Sequence, residues 1–417
     1  MTKYGRSPWI DGFPKSRVPD YPRQRGPLDV DAVIVGGGLT GCLTAYAFAA
    51  SGVNVVLVEA DRVGRGGAGH SAGWISDDPG VPFTDVAKAL GLRSARLAWQ
   101  AWRRAALDFT ALIRRLGVKC DLEAHPTITA ALDPAQTVRF RREQKARRDA
   151  GIDAPFINAR AVAGETGITG TGAIRTRDAA TVDPYRAAVG FAAAAVARGA
   201  VVFERSPARK VTFGRRSAEV RTEGGTIRTR RVVVATGIPT DLYHALARHF
   251  WFRSTYMALT DRVPAKVRQL LGKRAAVIRD AAEPPHIVRW VDDEQLLVMG
   301  ADSERAAPRL REKTIVQRTG QLMYELSTLY PDISGIAPEY GWEAAYARTG
   351  DGLPHVGPHR NFPHHLFAFG DASHSVTGAY LASRILLRHQ LGESDRADEV
   401  FGFARALIRK WRRSISS

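Results

Sequence analysis

Cysteine is scarce in this chain, with only Cys42 and Cys120 among its 417 residues. Two cysteines can build neither a disulfide framework nor a zinc site made of several cysteines. No other set of metal ligands stands out, so no metal is expected. Because disulfides are typical of oxidising compartments, a cytoplasmic location is the expectation.

Long apolar runs are also missing. No stretch reaches the roughly 20 apolar residues that a membrane-spanning helix needs. Residues 1–28 are polar and rich in proline, which does not fit a secretory signal. Apolar residues make up 45% of the chain and charged residues 24%. The composition therefore predicts a globular protein with a sizeable core and no transmembrane segment.

Acidic residues are too few to balance the basic ones, at 42 against 60, and the formal net charge is +18. An anionic substrate, an anionic partner or an acidic membrane surface could each explain this excess. The arginines are scattered, however, which favours a compositional bias. No basic strip interleaved with aromatic residues is present, so nucleic acid is not an expected partner.

The stretch from Val33 to Gly41 carries glycines at G-x-G-x-x-G spacing directly after an apolar strand. Gly36 permits a tight turn, Gly38 lets the backbone approach a pyrophosphate, and Gly41 lets the next helix lie close to the strand. A second apolar strand ends at Glu59, whose carboxylate can bond a ribose hydroxyl. The pattern predicts a dinucleotide-binding βαβ unit with a helix N-terminus at the phosphates.

Other segments rich in small residues lie far from this unit in the sequence. The glycine-rich loop at 64–73 indicates backbone packed closely against something bulky and flat. Apolar strands at 231–237 and 366–370 also end in small residues. Residues 251–301 have the pattern of antiparallel hairpins. The dinucleotide-type segments are therefore separated along the chain by helical and hairpin insertions.

Together these segments resemble the D-amino-acid-oxidase-type FAD-dependent oxidoreductases, the DAO family. The most similar branch is the γ-glutamylputrescine-oxidase-like one, some members of which carry a Rieske iron–sulfur domain. Such a cluster needs two cysteines and two histidines close together. Both cysteines lie in the first third of the chain, so it resembles members without that domain. The matching segments are 7–9, 31–41, Glu59, 64–73, 181–184, 234–237, 351–358 and 366–377.

The resemblance implies an α/β fold with an α+β insertion. A Rossmann-type FAD-binding domain would be joined to a discontinuous substrate domain with a mixed or antiparallel sheet, preceded by an extended arm at residues 1–27. The FAD-binding domain would comprise 28–85, 165–242 and 340–417, and the substrate domain 86–164 and 243–339.

The resemblance also implies FAD as the cofactor, with its ring near the loop at His70 and the helix start at Val376. In the dimethylglycine- and sarcosine-dehydrogenase branch, a histidine at this loop position carries FAD covalently. A hydrogen bond without a covalent link is the favoured alternative. The segment 370–375 has fewer glycines than the family pattern, which leaves less room for the ring. The residues implied at FAD are Gly36, Gly38, Leu39, Thr40, Gly41, Glu59, Ala60, His70, Ser71, Ala72, Ala208, Ala235, Gly237, Gly370, Val376 and Thr377.

Family chemistry transfers a hydride from a carbon bearing an amine to flavin N5. Because a neutral amine needs no strong base, the protein mainly supplies orientation and electrostatics. A substrate carboxylate would need an arginine, for which Arg348 is the first candidate and Arg289 the second. A surface charge is the alternative for both. Tyr256 and Tyr346 are expected to line the substrate pocket, and His374 to lie near the flavin.

The substrate would thus be an amine or amino acid, with O2, a quinone or a protein as the electron acceptor. Two other functions fit the same motifs. One is a flavin-carrying electron-transfer partner subunit with weak or no catalysis. The other is a nicotinamide-dependent dehydrogenase that uses the same βαβ unit. The oligomeric state is left open.

Overall fold

The computed structural model describes residues 1–282, 285–370 and 375–405. Two sheets with helices packed against them make up most of this part of the chain. Its helices are α1 (Pro8–Asp11), α2 (Leu39–Ala50), α3 (Phe83–Leu90), α4 (Leu92–Leu116), α5 (Pro134–Asp149), α6 (Ala159–Thr166), α7 (Pro184–Val196), α8 (Ala265–Arg268), α9 (Arg311–Leu329), α10 (Thr377–Leu391) and α11 (Asp398–Phe401).

Strands occur along the whole described chain, in the order that follows. They are β1 (Lys3–Tyr4), β2 (Leu28–Val35), β3 (Val55–Val58), β4 (Trp74–Ile75), β5 (Glu123–Ala124), β6 (Thr127–Ala131), β7 (Phe156–Asn158), β8 (Gly172–Thr176), β9 (Ala180–Thr181), β10 (Val201–Phe203), β11 (Lys210–Phe213), β12 (Ala218–Arg221), β13 (Thr226–Gly237), β14 (Trp251–Thr260), β15 (Val277–Arg279), β16 (Ile287–Val291), β17 (Gln295–Glu304), β18 (Pro338–Arg348), β19 (His355–His359) and β20 (Phe362–Phe369).

The first sheet is built around β2. Strands β10, β3, β2, β13 and β20 run parallel, and β12, β11 and β19 add antiparallel edges. Ala32, Val33 and Ile34 are fully buried, because this parallel strand is covered on both faces. Helix α2 crosses from β2 to β3 and packs against α7 and α10. This arrangement contains the βαβ unit that the glycine spacing predicts.

The second sheet has nine strands in the order β1-β18-β14-β17-β16-β15-β6-β8-β7. Its neighbours are antiparallel except for β1 with β18 and β15 with β6. Ile315, Leu322 and Leu326 of α9 cover one face. On the other face, Met257 and Trp342 belong to an apolar cluster that also includes residues of α1 and α7. A third, small sheet has the order β4-β9-β5.

The strands do not follow the predicted domain ranges throughout. Strands β8 and β18 both belong to the nine-stranded sheet, although the predicted FAD-binding ranges 165–242 and 340–417 contain them, wholly or in large part. Both sheets use similar apolar strands, so local pattern could not tell which sheet a strand joins. The domain bounds stay a prediction. In the part of the chain that the structure covers, every helix is too short or too polar to cross a bilayer.

Candidate functional site

The glycine turn after β2 brings the backbone of three segments into contact. A Cβ atom on Gly36, whose φ is +109°, would lie 2.8 Å from the carbonyl oxygen of Ala235. A Cβ atom on Gly41 would lie 1.8 Å from the carbonyl oxygen of Gly36. Gly38 differs, because a Cβ there would meet no heavy atom of the described residues within 4 Å. The turn therefore packs tightly against β13 and α2 and leaves space at Gly38.

Glu59 closes this turn from the end of β3. Its Oε2 accepts a hydrogen bond from the N–H of Gly37 at 2.6 Å, and its Oε1 accepts one from the N–H of Asp61 at 2.9 Å. Burial raises the pKa of this carboxyl, although the backbone donors favour its charged form. Each carboxylate oxygen has two lone pairs, so Glu59 can still accept a ligand hydroxyl.

A cavity of about 610 Å³, called here the main cavity, lies beside the turn. It extends from the N-terminal ends of α2 and α10 to β14, β17 and β18 of the nine-stranded sheet. The predicted FAD contacts that line it are Gly38, Leu39, Thr40, His70, Ser71, Ala235, Gly237, Gly370 and Val376. The others, which are not among its lining residues, are Gly36, Gly41, Glu59, Ala60, Ala72, Ala208 and Thr377.

The loop that carries His70 is held through three consecutive carbonyls. The indole N–H of Trp342 donates to the carbonyl of His70 at 3.1 Å, and that of Trp9 donates to the carbonyl of Ser71 at 2.9 Å. Nε of Arg289 donates to the carbonyl of residue 72 at 2.7 Å. The donors come from α1, β18 and β16, so both the N-terminal segment and the second sheet position this loop.

The start of α10 is held against the segment that follows β4. The hydroxyl of Thr377 donates to the carbonyl of Ser76 at 2.8 Å, and the N–H of Ser76 donates to Oγ of Ser375 at 2.9 Å. The N–H of Val376 donates to the carbonyl of Trp74 at 2.9 Å. The side chain of Thr377 is thereby turned away from the main cavity, while Val376 lines it.

Tyr256 does not face the main cavity. Its side chain is fully buried in the apolar cluster under α9, and its hydroxyl lies 3.1 Å from Oγ of Ser303. Side chains alternate between the two faces of a strand, and its neighbours Thr255 and Met257 line the cavity instead. The sequence indicated the strand at this position, but not which of its faces meets the cavity. His374, which the sequence predicts near the flavin, lies outside the described residues.

The two predicted carboxylate-binding arginines are also not among the lining residues. Arg289 is 5% exposed, and burial lowers the pKa of its guanidinium to about 10. Its Nη2 donates to the carbonyl of Val182 at 3.2 Å, and its guanidinium lies 5.1 Å from the ring centre of Trp9. Arg348 ends β18 opposite Trp251.

Charged residues that the sequence did not single out line the main cavity on the side of the second sheet, namely Arg305, Arg311 and Glu343. Tyr346, which the sequence predicts in the substrate pocket, lines the same wall. Nε of Arg311 forms an ion pair with Oε1 of Glu343. The hydroxyl of Tyr346 donates to Asp302, and burial raises the pKa of this phenol. The sequence held one signal for this wall, because Glu343 is the only carboxylate in the otherwise apolar or aromatic run before Arg348.

The main cavity therefore has two chemically different ends. The N-terminal ends of α2 and α10 lie at one end, where the helix dipoles favour negative charge. Two arginines and a glutamate line the opposite wall. A ligand bridging both ends would meet donors for phosphate or an anionic ring at one end and a cation–anion pair at the other.

Comparisons with known proteins agree with this geometry. A family model described as FAD dependent oxidoreductase (DAO) matches residues 31–388. γ-Glutamylputrescine oxidoreductase of Escherichia coli (strain K12) is 24% identical over 374 residues, which are 89% of this chain and 86% of that protein. Glycine oxidase of Bacillus licheniformis is 23% identical over 374 residues, covering 85% of this chain and 93% of that protein.

A solved structure shares the fold. The crystal structure of glycine oxidase from Geobacillus kaustophilus superimposes with a TM-score of 0.75 at 18% identity, covering 91% of this chain and 99% of that one. The predicted family, the fold class, the enzyme class and FAD as the cofactor are confirmed. The chain belongs to the DAO family of FAD-dependent oxidoreductases.

Proposed function

We propose that the protein oxidises the C–N bond of an amine or amino acid bound in the main cavity. The relatives it matches are named for an amine, γ-glutamylputrescine, and an amino acid, glycine. One observation carries the proposal: the Arg311–Glu343 ion pair and nine of the predicted FAD contacts line the same cavity. The pair offers opposite charges to a substrate that has both an ammonium and a carboxylate group.

The residues present fit FAD. Space is open at Gly38, while Gly36 and Gly41 stand where no side chain fits. We assign the pyrophosphate to Gly38 and the start of α2, and a ribose hydroxyl to Glu59. When bound, FAD supplies the hydride acceptor. As proposals, the other contacts are Leu39, Thr40, Ala60, His70, Ser71, Ala72, Ala208, Ala235, Gly237, Gly370, Val376 and Thr377.

The substrate would be held by exchange of ion-pair partners. The side chain of Arg311 is 60% exposed and that of Glu343 is 11% exposed. An ion pair with one partner largely in solvent is worth only about 0–1 kcal/mol, so a zwitterion can separate it at little cost. The substrate carboxylate would then bind Arg311 and its ammonium Glu343. Arg305, which also lines this wall, adds a second cation.

This assignment gives Arg311 the role that the sequence predicts for Arg348 or Arg289. The rest of the wall orients the substrate and excludes water, because Met257 and Met299 contribute apolar surface. Tyr346 on the same wall stays protonated, and its hydroxyl donates a hydrogen bond to the carboxylate of Asp302. Hydride transfer needs the neutral amine, so the ammonium held by Glu343 first loses its proton to water. No described residue has to act as a strong base for this step.

His70 is proposed to contact the flavin through Nε2, with or without a covalent link. Its Nδ1 lies 3.0 Å from the carbonyl oxygen of Gly66, which fixes the ring and leaves Nε2 as the nitrogen for other contacts. Precipitation of the protein with acid separates the two forms. A yellow pellet shows a covalent flavin, and a colourless pellet with yellow supernatant shows a hydrogen-bonded one.

Anaerobic titration with a panel of amines and amino acids tests the proposed function. The flavin absorbance should bleach with at least one substrate that carries both an ammonium and a carboxylate. A purified flavoprotein that no amine or amino acid bleaches would contradict the proposal and favour an electron-transfer subunit. Admitting air then identifies the acceptor, because rapid reoxidation indicates O2 and slow reoxidation indicates a quinone or a protein.

A cytoplasmic location is part of the proposal. Cys42 and Cys120 are both free and buried. Burial raises the pKa of the Cys120 thiol to about 12, so this side chain stays a neutral packing group. Thiols in this state suit a reducing compartment.

A further inference from the structure

A second cavity, called here the small cavity, lies where β16 and the segment before β15 meet the segment around β5. Its volume is about 180 Å³, less than a third of the 610 Å³ of the main cavity. Its charged or titratable lining residues are the basic side chains Lys273, Arg274 and Arg289, the acidic side chains Glu123 and Asp293, and His125. None of these lines the main cavity.

Arg289 is a buried cation of the small cavity. It is 5% exposed, and no carboxylate oxygen of the described residues lies within 4.0 Å of its nitrogens. Its Nε and Nη2 donate to the carbonyls of Ala72 and Val182, and its Nη1 donates to no described residue. Burying an unpaired charge is costly, so this nitrogen is suited to an anion brought from outside.

Of the other basic side chains of the small cavity, some are bonded to a carboxylate and one is not. Nε and Nη2 of Arg274 bond both carboxylate oxygens of Asp293, at 2.7 and 3.1 Å. Nε2 of His125 lies 3.0 Å from Glu123, while its Nδ1 is buried without a hydrogen-bond partner among the described residues. Lys273 is exposed and makes no ion pair with them. Asp293 is thus paired with Arg274 and Glu123 is bonded to His125, while Arg289 and Lys273 have no carboxylate partner among the described residues.

We propose that the small cavity binds a small oxyanion, a carboxylate or a phosphate group, with Arg289 as its buried cation. Lys273 closes the site from the solvent side. Size excludes a nucleotide, since the cavity is far smaller than the one assigned to FAD. The site is independent of the proposed substrate, which occupies the main cavity.

Binding is tested on the FAD-loaded protein, whose own pyrophosphate site is filled. Inorganic phosphate and acetate are titrated by calorimetry, with sodium chloride at equal ionic strength as the reference. At least one of the two should bind and raise the thermal midpoint, as any ligand of the folded state does. The anion that binds more tightly shows whether the site prefers a phosphate group or a carboxylate. If neither anion has more effect than chloride, the proposal is overturned.

Variants locate the site. Arg289→Gln should weaken binding roughly tenfold or more, because it removes a hydrogen bond to a charged group. Arg289 also donates to the carbonyls of Ala72 and Val182, so Arg289→Gln could fail to fold. Lys273→Gln tests the same site without removing those two hydrogen bonds. This exposed change should weaken binding about two- to fivefold. Arg148→Gln, at an exposed arginine that lines neither cavity, is the control and should leave binding unchanged. Loss of binding in Arg305→Gln but not in Lys273→Gln would place the anion in the main cavity and contradict the proposal.

Discussion

Arg311 and Glu343 form an ion pair in the wall of the main cavity, with the arginine largely in solvent and the glutamate largely enclosed. The pair joins the first turn of α9 to the middle of β18. An enclosed carboxylate whose partner can leave is a binding group for an incoming cation. Under the proposed function, Glu343 therefore selects amines by their charge, and its replacement should show this directly.

Glu343→Gln should raise the KM for a zwitterionic substrate roughly tenfold and change kcat little, because the lost hydrogen bond to the substrate ammonium is a charged one. Steady-state kinetics with the best substrate of the amine panel measure both constants. Glu339→Gln is the matched control, since Glu339 lies on the same strand but does not line the main cavity. Equal KM values for the two variants would contradict the assignment.

Gly41→Ala should yield a protein without FAD. The new Cβ would stand 1.8 Å from the carbonyl oxygen of Gly36, so the turn has to move, at a cost of about 1–3 kcal/mol. The ratio of flavin to protein absorbance and the thermal midpoint report the effect. Gly320→Ala, within α9, meets no described atom within 4 Å and should instead stabilise the protein by about 0.5–1 kcal/mol. A normal flavin content in Gly41→Ala would show that the turn adapts.

His355→Gln should make stability less dependent on pH below about 6.5. Burial, with Arg405 and His249 nearby, lowers the pKa of His355 to about 2. The unfolded chain therefore takes up a proton below its own pKa of about 6.5, while the folded chain does not. The contribution of His355 to stability is complete above that pH and falls by up to about 1.4 kcal/mol per unit below it.

Urea unfolding at pH 7.5, 6.5 and 5.5 measures this slope. Burial raises the pKa of both Asp77 and Asp183 to about 6, which opposes the histidine effect between roughly pH 4 and 6. Because both carboxyls are present in either protein, their contribution cancels in the difference between wild type and His355→Gln. His244→Gln, at an exposed histidine, should keep the wild-type slope. Parallel curves for wild type and His355→Gln would contradict the prediction.

Arg147→Met should destabilise the protein by about 3–5 kcal/mol, because it removes the cation shared by two buried carboxylates. Arg147 bonds Asp78 at 2.9 Å and Glu143 at 2.8 Å, and all three side chains are buried. Urea unfolding measures the loss. The neighbouring Arg148, whose side chain is 66% exposed, is the control, and Arg148→Met should change stability by less than about 0.5 kcal/mol. A loss below about 1 kcal/mol in Arg147→Met would show that Arg279, 3.7 Å from Asp78, takes over the pairing.

The glycine turn of the site was predictable from the sequence because its geometry is local. Gly36 and Gly41 act within a single turn, and the requirement for glycine at Gly41 follows from a contact a few residues away. Glu59 reaches the same turn from the end of the next strand. Short-range geometry of this kind leaves a pattern of residue types at fixed spacing.

The opposite wall of the main cavity was not predictable in the same way, because it depends on which face of a strand meets the cavity. Tyr256 and Arg289 lie on strands that the hairpin pattern indicated, but Tyr256 faces α9 and Arg289 faces the loop at Ala72. Arg311 starts a helix far along the chain from Glu343, and only the folded sheet brings them together. No local pattern records such a pairing.

The loop at 70–72 has a consequence for the order in which the protein matures. Its carbonyls are held by Trp9, Arg289 and Trp342, which are spread over more than three hundred residues of sequence. During synthesis the last of these donors emerges only when most of the chain has left the ribosome. The loop therefore stays incomplete until then, and we expect stable FAD loading only late in synthesis or after it.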